Sequence, residues 1–458
     1  MSIIMKDGPS RKDLQMYSRL KKLIFSKDLY GFLSVLDEII TAHTPTDEII
    51  RESAKILSMS LYRDSYDDGV PQSMMGFCAA SQMKKYLPVG DQIQPLTQML
   101  WLAAVEEKKS PYNLQSITVK TGGNTLTRLR KYNEALREKD LKKAYGLFEG
   151  FFRNQTEREK LSDFVFGETL KDCSMGGQKY MYFVKGWQLA KLLKWTDVRL
   201  MFFPMNHLLS STPRDPEYWE HIRPYISGKG TVQWIDNSKA LTERDHDALE
   251  EIVLTGKRDG VIQHIIELME SGKAPKSVLD ALLVTASQLV ADADASTWLK
   301  PVNAFNYTDS MHYFVHMSKD PQTAYAPLMA ALVVNNTAKK LDPKKHNDFS
   351  VGPYSGSDDP LSMFRYAVIH FDPDVAVASL KAVLPDPART AELYRTVLMT
   401  ASMNDAVVCH GRDMQYCYHT LNAYEMTSSP RKDKLIYAMA RFLAYINKNY
   451  ILYKEVWG

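Results

Sequence analysis

Residues 306–316, NYTDSMHYFVH, set Asp309, His312 and His316 three and four positions apart. At the helical advance of about 100° per residue, these three fall within about 60° of arc, while Tyr307, Met311, Phe314 and Val315 gather on the other side. A carboxylate and two imidazoles on one helix face can ligate Fe or Zn, and a His pair at i, i+4 suits such an ion. The same arithmetic describes an ordinary amphipathic helix with its polar side in water, and nothing else in the segment enforces metal geometry. A second segment, CHGRDMQYCYH at 409–419, puts His410, Asp413 and Cys417 on one face and His419 on another. Adjacent ligands diverge on a helix, so this piece alone does not grip one ion. A metal centre has to join His410 or His419 to His312 from a distant part of the chain, with Asp309 or His316 as outer support. The competing reading is a buried cysteine and a capping histidine.

The elements that must position these groups are helices. MYSRLKKLIFSKDLYGFLSVLDEIITA (16–42) repeats Leu20, Ile24, Leu29, Phe32, Leu33, Leu36 and Ile40 at helical intervals. Residues 180–195 carry Phe183, Gly186, Trp187, Ala190 and Leu193 on one stripe. The segment 241–256 opens on Thr242 as N-cap with Asp245 three positions on, and closes at Gly256. A last helix carries Ile436, Met439, Phe442, Leu443 and Ile446. Strand signals are sparse: SITVKTGG (116–123) is the best candidate, and no strands alternate with helices. Pro and Gly clusters mark loops near 64–71, 108–125, 204–231 and 338–362. The expectation is an all-α, multi-helix array with a helical body over 1–340 and a C-terminal helical unit over 341–458 packed on it.

Four segments share one shape, in which a short irregular stretch with one amide or imidazole leads into a helix of aromatic and small residues. They are VPQSMMGFCAASQM (70–83), GGQKYMYFVKGWQL (176–189), VNAFNYTDSMHYFV (302–315) and CHGRDMQYCYHTLN (409–422). Their polar starting residues are Gln72, Gln178, Asn303 and His410, at intervals of 106, 125 and 107 residues, and nine positions on stand Ser81, Trp187, His312 and His419. Similar spacing suggests repeated helical modules, near 45–105, 165–215 and 275–335 in the body. If these groups converge, Gln72, Gln178, Asn303 and Trp187 line a pocket for a small molecule, and His410 is its proton-transfer group. If they face solvent far apart, the protein is a scaffold of stacked helices.

The totals bound the rest. In 458 residues, 57 basic side chains face 54 acidic ones, a net charge of +3, so the basic excess of a nucleic-acid binder is missing. The most basic stretch, 127–145, interleaves Glu134, Glu138 and Asp140 with its cations, as a solvated helix does. Four cysteines without a CxxC do not form a disulfide framework, and the first residues lack an apolar leader, so a reducing, cytoplasmic setting is expected. The longest apolar run, near 328–334, is far short of a membrane span.

GGQKYMYFVKGWQLAKLLKW, followed by FFPMNHLLSSTPRDPEYW, and DASTWLKPVNAFNYTDSMHYF resemble the questin-oxidase-like family and the related helical domains fused to Rieske domains in some bacterial proteins. The likeness extends thinly over roughly residues 45–425. It implies an all-α oxidoreductase acting on small, often aromatic molecules, with a histidine at the irregular start of each module helix. Three of the four corresponding positions here are amides, which bind metal weakly. Either His312, His316 and His419 hold a divalent metal, Fe or Zn, with His410, or the metal is absent and the amides hydrogen-bond an organic ligand. The expected partner is a small molecule, with a homo-oligomer left open and neither nucleic acid nor membrane.

Overall fold

The computed structural model describes residues 11–42, 44–58, 72–106, 123–196, 202–211, 214–341 and 346–457. Among these the chain is all helix; the one extended pairing is an isolated bridge between Lys239 and Lys273. No described helix is long and apolar enough to cross a membrane. Of the SITVKTGG segment, residues 116–122 lie outside the described residues, as do the loops expected at 64–71 and most of that at 108–125.

Four helical hairpins frame the interior. Their helices are α1 (Gln72–Gln82) and α2 (Ile93–Val105), α3 (Ser174–Leu192) and α4 (Phe203–Ser211), α5 (Leu299–Met317) and α6 (Ala326–Ala338), and α7 (Arg412–Met426) and α8 (Asp433–Tyr445). The first helix of each hairpin is one of the four segments singled out by sequence. These four close a ring: α1 packs on α3, α3 on α5, α5 on α7, and α7 back on α1, with the second helix of each hairpin against its outer side. All four run the same way. Gly177 meets the Tyr307 ring near the starts of α3 and α5, and Lys191 Nζ lies 3.7 Å from Met317 Sδ at their ends. Phe305 pairs with Tyr416, and Asp309 with His419, in the same sense along α5 and α7. α1 and α7 follow suit, with Gly76 against Gln415 and Gln82 bonded to Tyr418.

Two ring helices are launched by left-handed backbone. Met175, Gly176 and Gly177 have φ of 53°, 66° and 80° before α3 turns regular, and His410 and Gly411 have 51° and 65° before α7. Gly177 is required twice over, because a Cβ there would stand 2.3 Å from the Tyr307 ring. Gly411 is pressed by Met99 of α2 in the same way.

Elsewhere local chemistry sets the helices as its residues dictate. Thr242 and Asp245 form a reciprocal capping box on Glu243–Thr255, and Gly256 ends it. Residues 204–231, expected as loop from their prolines, instead hold Phe203–Ser211 and Glu217–Ile226, because Pro204 and Pro216 sit where a helix start has no N–H bond to lose. The helix over 306–316 also departs from a simple amphipathic pattern. Asp309 and His312 are buried with the apolar residues, since α5 has ring neighbours on one side and α6 and Pro275–Asp292 on the other.

Candidate functional site

At the starting end of the ring, Gln72 Nε2 donates to Gln178 Oε1 at 3.1 Å, joining two module starts 106 residues apart. Both side chains are buried. Glu106, just past α2, accepts from the backbone N–H of Gln72 at 2.9 Å and of Ser73 at 3.0 Å, and from Ser73 Oγ at 2.5 Å. A carboxylate at the N-terminus of α1 is stabilised by the orphan N–H groups and the helix dipole. Arg412, first residue of α7, is buried at this end, and Glu106 is the opposite charge that faces it. Burial drags its guanidinium down to about 10, against the pull of Glu106.

Deeper in the ring, three helices contribute one ionisable group each. Lys185 of α3 donates to Asp309 Oδ2 of α5 at 2.8 Å, and its Nζ lies 3.4 Å from Nδ1 of His419 of α7. His419 Nδ1 is also 3.3 Å from Asp309 Oδ2. The side chains are 2%, 8% and 2% exposed, so the attraction acts with little solvent screening. Burial raises the Asp309 carboxyl, but Lys185 and His419 outweigh it and hold the group below its ordinary value. Burial, with the Lys185 ammonium alongside, lowers His419 to about 3, so its ring is neutral at pH 7. Lys185 is the hydrogen-bond partner of Nδ1 and an ammonium can only donate, so Nδ1 accepts and the remaining proton sits on Nε2; Asp309 Oδ2, though 3.3 Å away, makes no hydrogen bond to the ring. Beside this trio, α1 supplies Cys78, whose thiol burial pushes up to about 11. Gln82 Nε2 donates to its sulfur at 3.0 Å, and Tyr418 Oη donates to Gln82 Oε1 at 3.0 Å.

Buried polar atoms without a hydrogen bond to a described residue occur throughout the molecule, and among those on the ring helices are Ser81 Oγ on α1, Asn306 Oδ1 and Tyr313 Oη on α5, and Gln415 Nε2 and His419 Nε2 on α7. Buried polar atoms are normally paired, and leaving one unmet costs about 1–3 kcal/mol. On α7, Arg412, Gln415 and His419 recur at three and four residues, so one stripe of that helix carries the set from the ring's starting end to the trio.

The structure brings some expected residues together and separates others. Gln72 and Gln178 meet, and Asp309 meets His419. Asn303 is half-buried on α5, and His410 is exposed on the left-handed turn before α7. His312 is turned away from the trio, with Nε2 2.8 Å from Asp280 Oδ1 on Pro275–Asp292. His316 is exposed at the end of α5. Trp187 stacks on Phe183 at 5.8 Å and meets Trp195 at 4.9 Å, as part of an aromatic cluster with Phe152, Phe166 and Phe202. Lys185 and Arg412 were not anticipated. Their signal was a lone cation inside an otherwise apolar run, YFVKGW, and an arginine directly after a His-Gly turn.

These donors do not fit a divalent metal. The Lys185 ammonium lies against both Asp309 and His419, where an ion bound by them would have to sit, and His312 and His410 point elsewhere. Among the described residues no three His, Cys, Asp or Glu side chains are placed to share an ion. Comparison with protein-family models, with curated proteins and with solved structures finds no match.

Proposed function

We propose that the protein binds a small, largely apolar organic molecule inside the four-helix ring and polarises a carbonyl-type oxygen of that molecule through His419, without a resident metal. The observation that carries this reading is His419 itself. Its Nδ1 is held by Lys185, and its Nε2–H is buried with no protein acceptor. A neutral imidazole N–H fixed in one tautomer by a partner on its other nitrogen is a pre-organised donor to an oxygen that gains charge during reaction. Asp309 balances the Lys185 charge, which keeps the ammonium on Nδ1. The half-buried ring of Tyr313, the buried ring of Tyr418 and the methionine and leucine side chains of the ring suit an apolar body, while Ser81, Asn306 and Gln415 supply scattered hydrogen-bonding capacity.

A pure scaffold of stacked helices needs none of these unmet groups in its middle, which favours the ligand-binding reading. The oxidation implied by the questin-oxidase-like resemblance would begin from the same bound state, with the substrate oxygen on His419. The test is binding of 2-acetylnaphthalene against 2-ethylnaphthalene, which lacks the oxygen, by calorimetry on the full chain. The ketone is expected to bind at least tenfold more tightly, and His419→Phe to erase the difference. Equal binding of both compounds to the native protein refutes the assignment. Metal analysis of the purified protein sets the same reading against the Fe or Zn expectation.

A further inference from the structure

Arg412 stands out among the buried charges because the others have hydrogen-bonded partners. Lys179 is bonded to Asp172 at 2.9 Å, Lys185 to Asp309, and Asp413 accepts from Asn404 at 2.8 Å and from the Met414 N–H at 2.9 Å. Arg412 is 5% exposed, yet none of its guanidinium N–H groups is hydrogen-bonded to a described residue. Glu106 faces it as a charge only, since that carboxylate is spent on the backbone and hydroxyl of Gln72 and Ser73. The neighbouring Cys409 thiol is pushed up by burial and carries no charge at pH 7. A buried guanidinium with five donors and no bonded acceptor is costly, and a carboxylate is its natural complement.

Its placement is as telling as its lack of partners. Seven residues separate Arg412 from His419 on α7, which puts them on one stripe about 10 Å apart along the axis. His419 points into the ring toward α3 and α5. Arg412 therefore lies over the same interior, at the end where α1 and α7 both begin. The N-cap of α7, Gly411, has no side chain to cap the helix, so the positive end of that dipole adds to the guanidinium.

We infer that the ligand of the ring is an organic anion whose carboxylate is bound by Arg412 and the first turn of α7 while its acceptor oxygen reaches His419. This rests on the ring-ligand reading above and narrows it to a class: rigid, apolar acids with an oxygen at the far end. Gln415, between the two on the same stripe, faces the middle of such a molecule.

The experiment compares 6-acetyl-2-naphthoate with 2-acetylnaphthalene on the full chain by calorimetry. The acid is expected to bind at least tenfold more tightly than the neutral ketone. Arg412→Met should remove that advantage while leaving the affinity for the ketone unchanged, and Arg412→Lys should retain part of it. Arg412→Met should melt no lower than the native chain in the absence of ligand, because it deletes an unbonded buried charge, and this separates a binding role from a structural one. If the ketone binds and the acid binds no better, or Arg412→Met holds the acid as well as the native protein does, the carboxylate site is refuted and the ring-ligand reading stands. If neither compound binds, both fall.

Discussion

Lowering the pH from 7 to 5 should weaken the native protein in a way that depends on His419. In the folded chain burial and Lys185 lower this imidazole from 6.5 to about 3. The unfolded chain takes up a proton near pH 6.5 that the folded chain refuses, so stability falls with pH across that interval. Only the unfolded ring titrates between pH 7 and 5, and integrating its proton uptake gives a loss of about 2 kcal/mol. His419→Gln removes that loss while keeping an amide N–H in place of Nε2–H. Asp309, held below its ordinary 3.8, contributes stability above that value that is lost at lower pH, outside this window. His246, His264 and His316, also lowered by burial, and Asp413, raised to about 6, titrate in both proteins and cancel in the comparison. Urea unfolding followed by tryptophan fluorescence at the two pH values gives the difference. A variant that loses as much stability as the native chain defeats the assignment of a neutral, buried His419. Should the variant fold poorly, the His419 ring resonance in the native protein serves instead, and it should show no titration between pH 5 and 8.

Breaking the buried pair from one side, by Lys185→Met or Asp309→Leu, should cost about 3–5 kcal/mol each, since an uncompensated charge is left inside. The double variant should cost less than the sum by on the order of 2 kcal/mol, and additive losses in urea unfolding would show that the two groups do not act together. At the start of α3, Gly176→Ala should cost about 1–2 kcal/mol from left-handed backbone alone, as nothing lies within 4 Å of its Cβ position. Gly177→Ala adds a clash with the Tyr307 ring and should lose a further 1–3 kcal/mol or so, and equal losses at the two positions would contradict the close approach of α3 and α5.

The helices were readable because their periodicity and caps are local: Thr242 with Asp245 and the stripe of the last long helix needed no tertiary knowledge. The four repeated segments were also visible, because each pairs an amide or imidazole with a helix of small and aromatic residues; the expected irregular start is found at α3 and α7, whereas Asn303 lies inside α5, already helical from Leu299. What the sequence does not carry is direction around the helix for a chain buried on all sides. α5 has apolar and polar residues buried together from Pro301 to His312, so the 60° arc joining Asp309, His312 and His316 did not mark a water-facing side or a shared ligand set. Asp309 answers to α3 and α7, and His312 to Asp280, because α5 is gripped from two sides. Lys185 escaped notice for the related reason that a cation within an apolar run is ordinarily an exposed residue of an amphipathic helix, and only the partners on α5 and α7 show that it is internal.

The parallel sense of the ring explains why charge concentrates where it does. Helix starts brought to one end add their positive dipole ends, and three of the four carry charge there: Glu106 at α1, the Asp172–Lys179 pair at α3, and at α7 an arginine with no bonded anion. An interior kept polar for folding alone would be expected to close its hydrogen bonds, since an unmet buried group costs more than an apolar replacement. Unmet buried atoms occur in several parts of the molecule, and a group of them belongs to the ring helices. Gln415 and His419, with Arg412, lie along one stripe of α7, and Ser81, Asn306 and Tyr313 belong to two other walls of the same ring. The proposed guest would meet this α7 face, where Gln415 and His419 have unused donors, while Lys179, Asp172 and Asp413 nearby are hydrogen-bonded.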